Sequence, residues 1–200
     1  YFQIHTFNAQ SVFITFLPFH ESNIFGRLLS FLDLKGIEYD WVKPFAKQAL
    51  PISFEKLVAK CFSANHSILS LLNQHIMQVC QLFDNITISR KLPHLFTLFS
   101  SLCIHAVSDS SNVNDGVISK ILPMFAFGFK STLIPFHLSC LMVTCQLCVT
   151  VTLAPNIVKT LFKLILLKIT TGIVEESIAT AVVLCQRQKL DCFPHKLVFT

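Results

Sequence analysis

Three cysteines could do chemistry in a charge-free stretch of the chain, residues 131–158. Cys145 and Cys148 form a C-x-x-C pair, and Cys140 lies nearby. A structural zinc site needs four ligands, commonly two such pairs, and a redox pair sits at the start of a helix. The sequence has no second C-x-x-C and no H-x-x-x-H, and this pair falls in the middle of a helical pattern. We therefore expect buried thiols of the core, with no metal and no cofactor.

Other residues capable of catalysis are scattered along the chain. The eight histidines show no spacing typical of metal ligands. Glu175 and Glu176 are adjacent, so on a helix they point about 100° apart and form no acid–base pair. No glycine-rich phosphate loop and no G-x-S-x-G is present. The sequence predicts no catalytic residue and no enzyme.

Positive charge provides a candidate interaction surface, in the C-terminal half. Lys159 and Lys163 share a predicted helix face, and Lys168, Arg187 and Lys189 lie near predicted helix C-termini. Cations there also suit the helix dipole, so a solvated face is the alternative to a contact with phosphates or an acidic partner. The net charge is +5, and no RNA-recognition module is present. We expect direct RNA contact by this segment to be weak or absent.

The composition indicates extensive burial on helices. Apolar residues make up 52% of the 200 residues, charged residues 14%, and only five are glycine. These values exclude a disordered chain and disfavour a strand-rich one. Cysteines inside apolar runs are typical of a reducing compartment. Because the chain begins at Tyr1, we expect it to be a fragment of a longer protein.

An internal repeat predicts the architecture. Residues 117–147 superpose on 157–187 with an offset of 40, so that Leu138 matches Ile178 and Cys145 matches Cys185. This period is typical of HEAT or armadillo repeats, and the predicted class is an all-α solenoid of antiparallel helix pairs. The predicted pairs are 115–130 with 132–151, and 155–169 with 172–188. The predicted organisation is irregular N-terminal helical repeats over 1–107, a loop over 108–114, and two HEAT-like pairs with the start of a next element over 115–200.

The charge-free helix could instead cross a membrane, since its length allows it. With Thr132 as N-cap, however, Phe136, Cys140 and Val143 fall on one apolar face, and a second apolar face lies opposite with polar stripes between them. Two apolar faces suit the inner helix of a solenoid, which packs on its partner and on neighbouring repeats. A multi-pass membrane protein, a thiol or zinc enzyme, and a HEAT-type adaptor of another pathway remain the alternatives.

Five phrases resemble the N-terminal region of one protein family, in order and with matching spacing. They are LPFHESNIFGRLLSFLDL (17–34), ILPMFAFGFKSTL (121–133), CQLCVTV (145–151), VVLCQRQK (182–189) and FPHK (193–196). The family is that of HEAT repeat-containing protein 1, also described as small nucleolar RNA-associated protein 10. The resemblance runs almost from end to end, although residues 35–110 match mostly in pattern.

This resemblance implies a very long α-solenoid without catalytic residues. It further implies a scaffold of the nucleolar small-subunit processome, with roles in pre-rRNA processing, small-subunit biogenesis and its coupling to RNA polymerase I transcription. The expected partners are other processome proteins, with pre-rRNA and small nucleolar RNPs nearby and no membrane. The expected location is the nucleus and nucleolus.

Overall fold

The protein is entirely helical in the residues that this computed structural model describes, which are 3–61, 68–108, 113–167, 169 and 171–189. These ranges contain twelve α-helices, short 3₁₀ turns and no strand. The chain divides into two compact units, Tyr1–Phe99 (unit 1) and Ser100–Thr200 (unit 2). The predicted all-α class is confirmed.

Unit 1 consists of short helices around an aromatic core. The rings of Phe13 and Phe25 lie 6.0 Å apart, and Tyr39 meets Phe13 edge-on at 5.7 Å. All three side chains are buried, and such tilted contacts stabilise a core beyond the burial of area alone. The helices are α1 (Ile4–Phe7), α2 (Ala9–Phe16), α3 (Asn23–Phe31), α4 (Lys43–Gln48), α5 (Phe54–Cys61), α6 (Ile68–Leu82) and α7 (Asn85–Lys91), and α8 (Pro93–Val107) runs across the boundary of the unit.

A glycine lets α3 lie directly against the backbone that follows α4. A Cβ atom built on Gly26 would lie 2.7 Å from the carbonyl carbon of Leu50, a separation that real Cβ atoms do not show. Ala49, the C-cap of α4, has a left-handed backbone with φ 49°, which turns the chain toward α3. Only glycine fits at position 26 without moving one of these two segments.

Short polar side chains begin several helices. Ser22 accepts a hydrogen bond from the N–H of Phe25, Asp84 from that of Thr87, and Asn114 from that of Val117. Each bond satisfies one of the free N–H groups in the first turn of α3, α7 and the helix that starts at Asp115. These residues therefore set helix starts that the sequence alone can indicate.

Unit 2 contains the two predicted helix pairs. The first is α9 (Asp115–Gly128) with α10 (Ile134–Thr150), and the second is α11 (Pro155–Leu167) with α12 (Val174–Arg187). Each bound lies within three residues of its prediction. The predicted N-cap of α10 was wrong by one residue, because Leu133 takes the extended backbone of the N-cap and its N–H donates to Ser131 Oγ at 3.1 Å.

α10 is buried on most of its circumference. Phe136, Cys140 and Val143 are inaccessible, as predicted for the first apolar face. The second face is only partly covered, since Ile134 and Val149 are exposed. The polar stripe residues Ser139 and Thr144 are buried as well, and their hydroxyls donate to backbone carbonyls four residues earlier.

α10 and α12 run side by side in parallel, as equivalent helices of successive repeats do. Near their starts, a Cβ on Gly172 would touch Ile134 Cδ1 at 3.3 Å. Midway, Cys145 Sγ lies 3.4 Å from Thr180 Oγ1. At their ends, the Gln188 side chain reaches the carbonyl of Cys148. These contacts pair residues 35 to 40 positions apart, in agreement with the repeat offset seen in the sequence.

Candidate basic surface and the end of the second helix pair

Two elements carry the described members of the predicted basic surface. Lys159 and Lys163 are exposed and one turn apart on α11. Arg187 is the last residue of α12, and Lys189 follows with a left-handed backbone at φ 51°. Both are exposed. Lys168 lies outside the described residues.

A glutamine at the end of α12 brings these elements together. Gln188 Oε1 accepts from the N–H of Leu153, two residues before α11 begins. Its Nε2 donates to the carbonyls of Cys148 and Val151 at 2.8 and 2.9 Å. The end of α12 therefore lies against the start of α11, so that Arg187 and Lys189 are at the same end of the pair as Lys159.

The charge of α12 is separated along its length. Glu175 and Glu176 are exposed in the first turn of α12, where carboxylates favour the helix dipole, and Arg187 stands at the other end. Among the described residues, the observed ion pairs are Lys35–Asp33 and Lys43–Asp40, both in unit 1. The four described cations are thus available to an anionic partner.

Gln188 is the residue that sequence reasoning missed. Its carboxamide satisfies three backbone groups in the last turn of α10 and in the loop that follows it, and these groups lie 35 to 40 positions away in the chain. The only local signal is a glutamine just after a predicted helix end, which is common on solvated surfaces. Nothing in one sequence links it to a loop so distant.

Two of the three cysteines expected in the core, Cys140 and Cys148, are buried, whereas Cys145 is only half-buried. Cys140 is inaccessible and burial raises its pKa, while burial and the neighbouring Cys145 raise the pKa of Cys148 to about 12. Such thiols stay protonated near neutral pH, and the thiolate is the reactive and metal-binding form. Within the described residues, no group of three or more His, Cys, Asp or Glu side chains could hold a metal ion.

The repeat register holds at its cysteines. Cys145 and Cys185, which the 40-residue offset superposes, are both half-buried. Equal burial is the outcome expected if α10 and α12 hold equivalent positions in successive pairs. None of the described helices combines the length and apolar character that a bilayer crossing requires.

Unit 1 contains a buried polar pair next to an open groove. Thr15 Oγ1 on α2 lies 3.0 Å from His75 Nε2 on α6. His75 is buried, and loss of hydration lowers its pKa from the ordinary value of 6.5. The adjacent groove has a volume of about 410 Å³.

Comparison with known proteins gives this helical chain relatives. The family model described as U3 small nucleolar RNA-associated protein 10 matches residues 117–199, which include both helix pairs except the first two residues of α9. HEAT repeat-containing protein 1 homolog of Caenorhabditis elegans is 30% identical over 95% of this chain and 12% of its own length. The human HEAT repeat-containing protein 1 is 27% identical over 97% and 10%, and the Danio rerio protein 22% over 94% and 9%.

The chain spans only about a tenth of the length of these curated relatives. The matches cover 94–97% of this chain, and the family model falls on the helix pairs found in the fold. The resemblance predicted from the five phrases is confirmed: this chain is similar, along nearly its whole length, to a segment of the HEAT repeat-containing protein 1 family.

Proposed function

We propose that this chain is a non-catalytic scaffold segment in the assembly of the small ribosomal subunit. The supporting observation is that a family model of a U3 small nucleolar RNA-associated protein matches the stacked pairs α9–α10 and α11–α12. Stacked helix pairs present long surfaces to several partners at once, which is the physical requirement of a scaffold.

The finer assignment follows the relatives. We place the protein in the nucleolar small-subunit processome of the nucleus, where it supports pre-rRNA processing and links it to RNA polymerase I transcription. Its principal partners are other processome proteins, and pre-rRNA and small nucleolar RNPs are close by. The protonated thiols of Cys140 and Cys148 agree with a structural role.

Purification of the endogenous protein under mild conditions tests this assignment. The tagged protein should bring down small-subunit assembly factors, U3 small nucleolar RNA and unprocessed pre-rRNA, detected by mass spectrometry and RNA sequencing. An untagged strain and a tagged cytoplasmic helical-repeat protein are the controls. Recovery of transport or phosphatase components without pre-rRNA would refute the proposal and favour an adaptor of another pathway.

The basic surface at the end of the second pair is proposed as a weak phosphate contact. If three of its cations touch phosphate together, log affinity should fall with log salt concentration at a slope of about −2, or roughly −0.7 for each contact. Such binding is lost for the most part by physiological salt and does not depend on RNA sequence.

A charge-reversed double variant tests that contact. The change Lys159→Glu with Lys163→Glu should lower the magnitude of the salt slope, because two contacts are removed. The control is Arg27→Glu with Lys47→Glu, two exposed cations on α3 and α4 of unit 1. Tight RNA binding that persists at high salt, or equal effects of the two variants, would contradict the proposal.

A further inference from the structure

The groove beside His75 is an apolar surface enclosed by three helices of unit 1. Its walls come from α2, α6 and α7 and from the turns around α7, and its volume is about 410 Å³. The apolar lining is formed by Val79, Leu82, Phe83 and Leu92. This volume is large enough for a few aliphatic side chains, and is more than a gap that a single water molecule would fill.

Large apolar side chains remain exposed along this groove. Leu82 is 76% exposed and Phe83 is 52% exposed, and both line the groove. Contiguous exposed apolar surface around a concavity marks an interaction site rather than a random surface. Burial of these side chains would supply the main driving force for a partner to bind.

Among the residues that line the groove, the one fully charged side chain is a lysine. Neither α2 nor α6 contains a single Asp, Glu, Lys or Arg, and α7 contains only Arg90 and Lys91, of which Lys91 lines the groove. The acid that begins α7 is its N-cap Asp84, whose two carboxylate oxygens accept from the N–H and the hydroxyl of Thr87. Lys91 lies at the opposite end of α7, so the groove is cationic at that end.

The lateral walls add hydroxyl and carboxamide groups. Ser11 and Thr15 line one side, and Gln78 and Thr87 line others. Thr15 and Thr87 already bond to His75 and Asp84, but a lipid-like occupant would leave Ser11 and Gln78 without a polar partner. A bare nucleic acid strand would leave the apolar floor open to water. A peptide helix with apolar residues on one face and acidic residues on its flank can contact the apolar floor, the polar walls and Lys91 at the same time.

We infer that this groove of unit 1 docks an amphipathic helix of a partner protein, with apolar side chains on Val79, Leu82 and Phe83 and an acidic flank on Lys91. The partner class goes beyond the proposed function, since it does not depend on the pathway in which the chain acts. The acidic flank of the partner helix, paired with Lys91, sets the orientation in which that helix binds, and its apolar face provides the affinity.

A reciprocal charge exchange tests the docking on the full chain. The probes are two labelled peptides of about four helical turns, with leucines at i, i+3, i+4 and i+7 and either glutamates or lysines on the flank. By fluorescence anisotropy at low salt, the glutamate peptide should bind about tenfold more tightly than the lysine peptide, as expected when an attractive rim pair replaces a repulsive one.

Lys91→Glu should reverse this preference, and Lys47→Glu on α4 should leave it unchanged. Leu82→Ser should weaken both peptides, which a purely electrostatic contact would not show. Circular dichroism confirms the fold of each variant, and the exposure of both side chains makes these changes compatible with folding. Absence of binding by either peptide, or an unchanged preference in Lys91→Glu, would overturn the inference. If the chain self-associates and Leu82→Ser abolishes that association, the occupant of the groove is a second copy of the chain. That result would also refute the inference.

Discussion

Replacement of Gln188 by alanine tests how the second helix pair is joined to the first. The change removes three hydrogen bonds, to the N–H of Leu153 and to the carbonyls of Cys148 and Val151. A net hydrogen bond contributes roughly 0.5–1.5 kcal/mol, and a buried group left unpaired costs more. Since Leu153 and Cys148 are 6% and 3% exposed, we expect a loss of about 3 kcal/mol.

The expected loss is large enough for ordinary denaturation measurements. For a chain of this size, it corresponds to a decrease of about 6–12 °C in Tm. The assay is urea unfolding of the full chain followed by far-UV circular dichroism. Gln186→Ala is the matched control, because Gln186 is exposed on the same last turn of α12 and should change stability by less than about 0.5 kcal/mol.

A second substitution separates lost contacts from lost volume. Gln188→Glu keeps the shape and the acceptor for Leu153, but it places an ionised oxygen against the carbonyls of Cys148 and Val151, so it should destabilise at least as much as alanine near neutral pH. The reasoning is refuted if Gln188→Ala matches Gln186→Ala within error, or if Gln188→Glu is neutral.

Three further outcomes are expected. Gly26→Ala should destabilise unit 1 by about 1–3 kcal/mol in urea unfolding, because the new methyl group overlaps the backbone that follows α4. An unchanged urea midpoint would show that α3 and this backbone can move apart at no cost. Iodoacetamide should modify the inaccessible Cys140 only after unfolding and the half-buried Cys185 before it, as followed by mass spectrometry, and equal rates would contradict the buried assignment. Burial lowers the pKa of His75 and His137 below 6.5, so the folded state binds fewer protons than the unfolded state. The free energy of unfolding should therefore be at its full value above pH 6.5 and should decrease as the pH falls below it. The double change His75→Gln with His137→Gln should flatten that slope.

Much of unit 2 could be read from the order of its residues. The apolar pattern and the 40-residue offset predicted four helices within three residues of their bounds, because helix periodicity and turn residues act locally. The equal burial of Cys145 and Cys185 followed from the same register. The basic residues were also found, since charge is a property of composition, although the sequence could not tell which of them share one end of the pair.

The sequence by itself determined the helical class, the repeat and the resemblance to a family of long helical-repeat proteins. Only the tertiary structure decided that Gln188 joins α12 to the end of α10 and the loop after it, 35 to 40 residues away, that Gly26 must lack a side chain, and that α2, α6 and α7 enclose an apolar groove. The physical reason is the range of the interactions. Helix formation depends on neighbours within about four positions, whereas a clamp, a close backbone approach and a groove depend on which distant segments meet when apolar faces are buried.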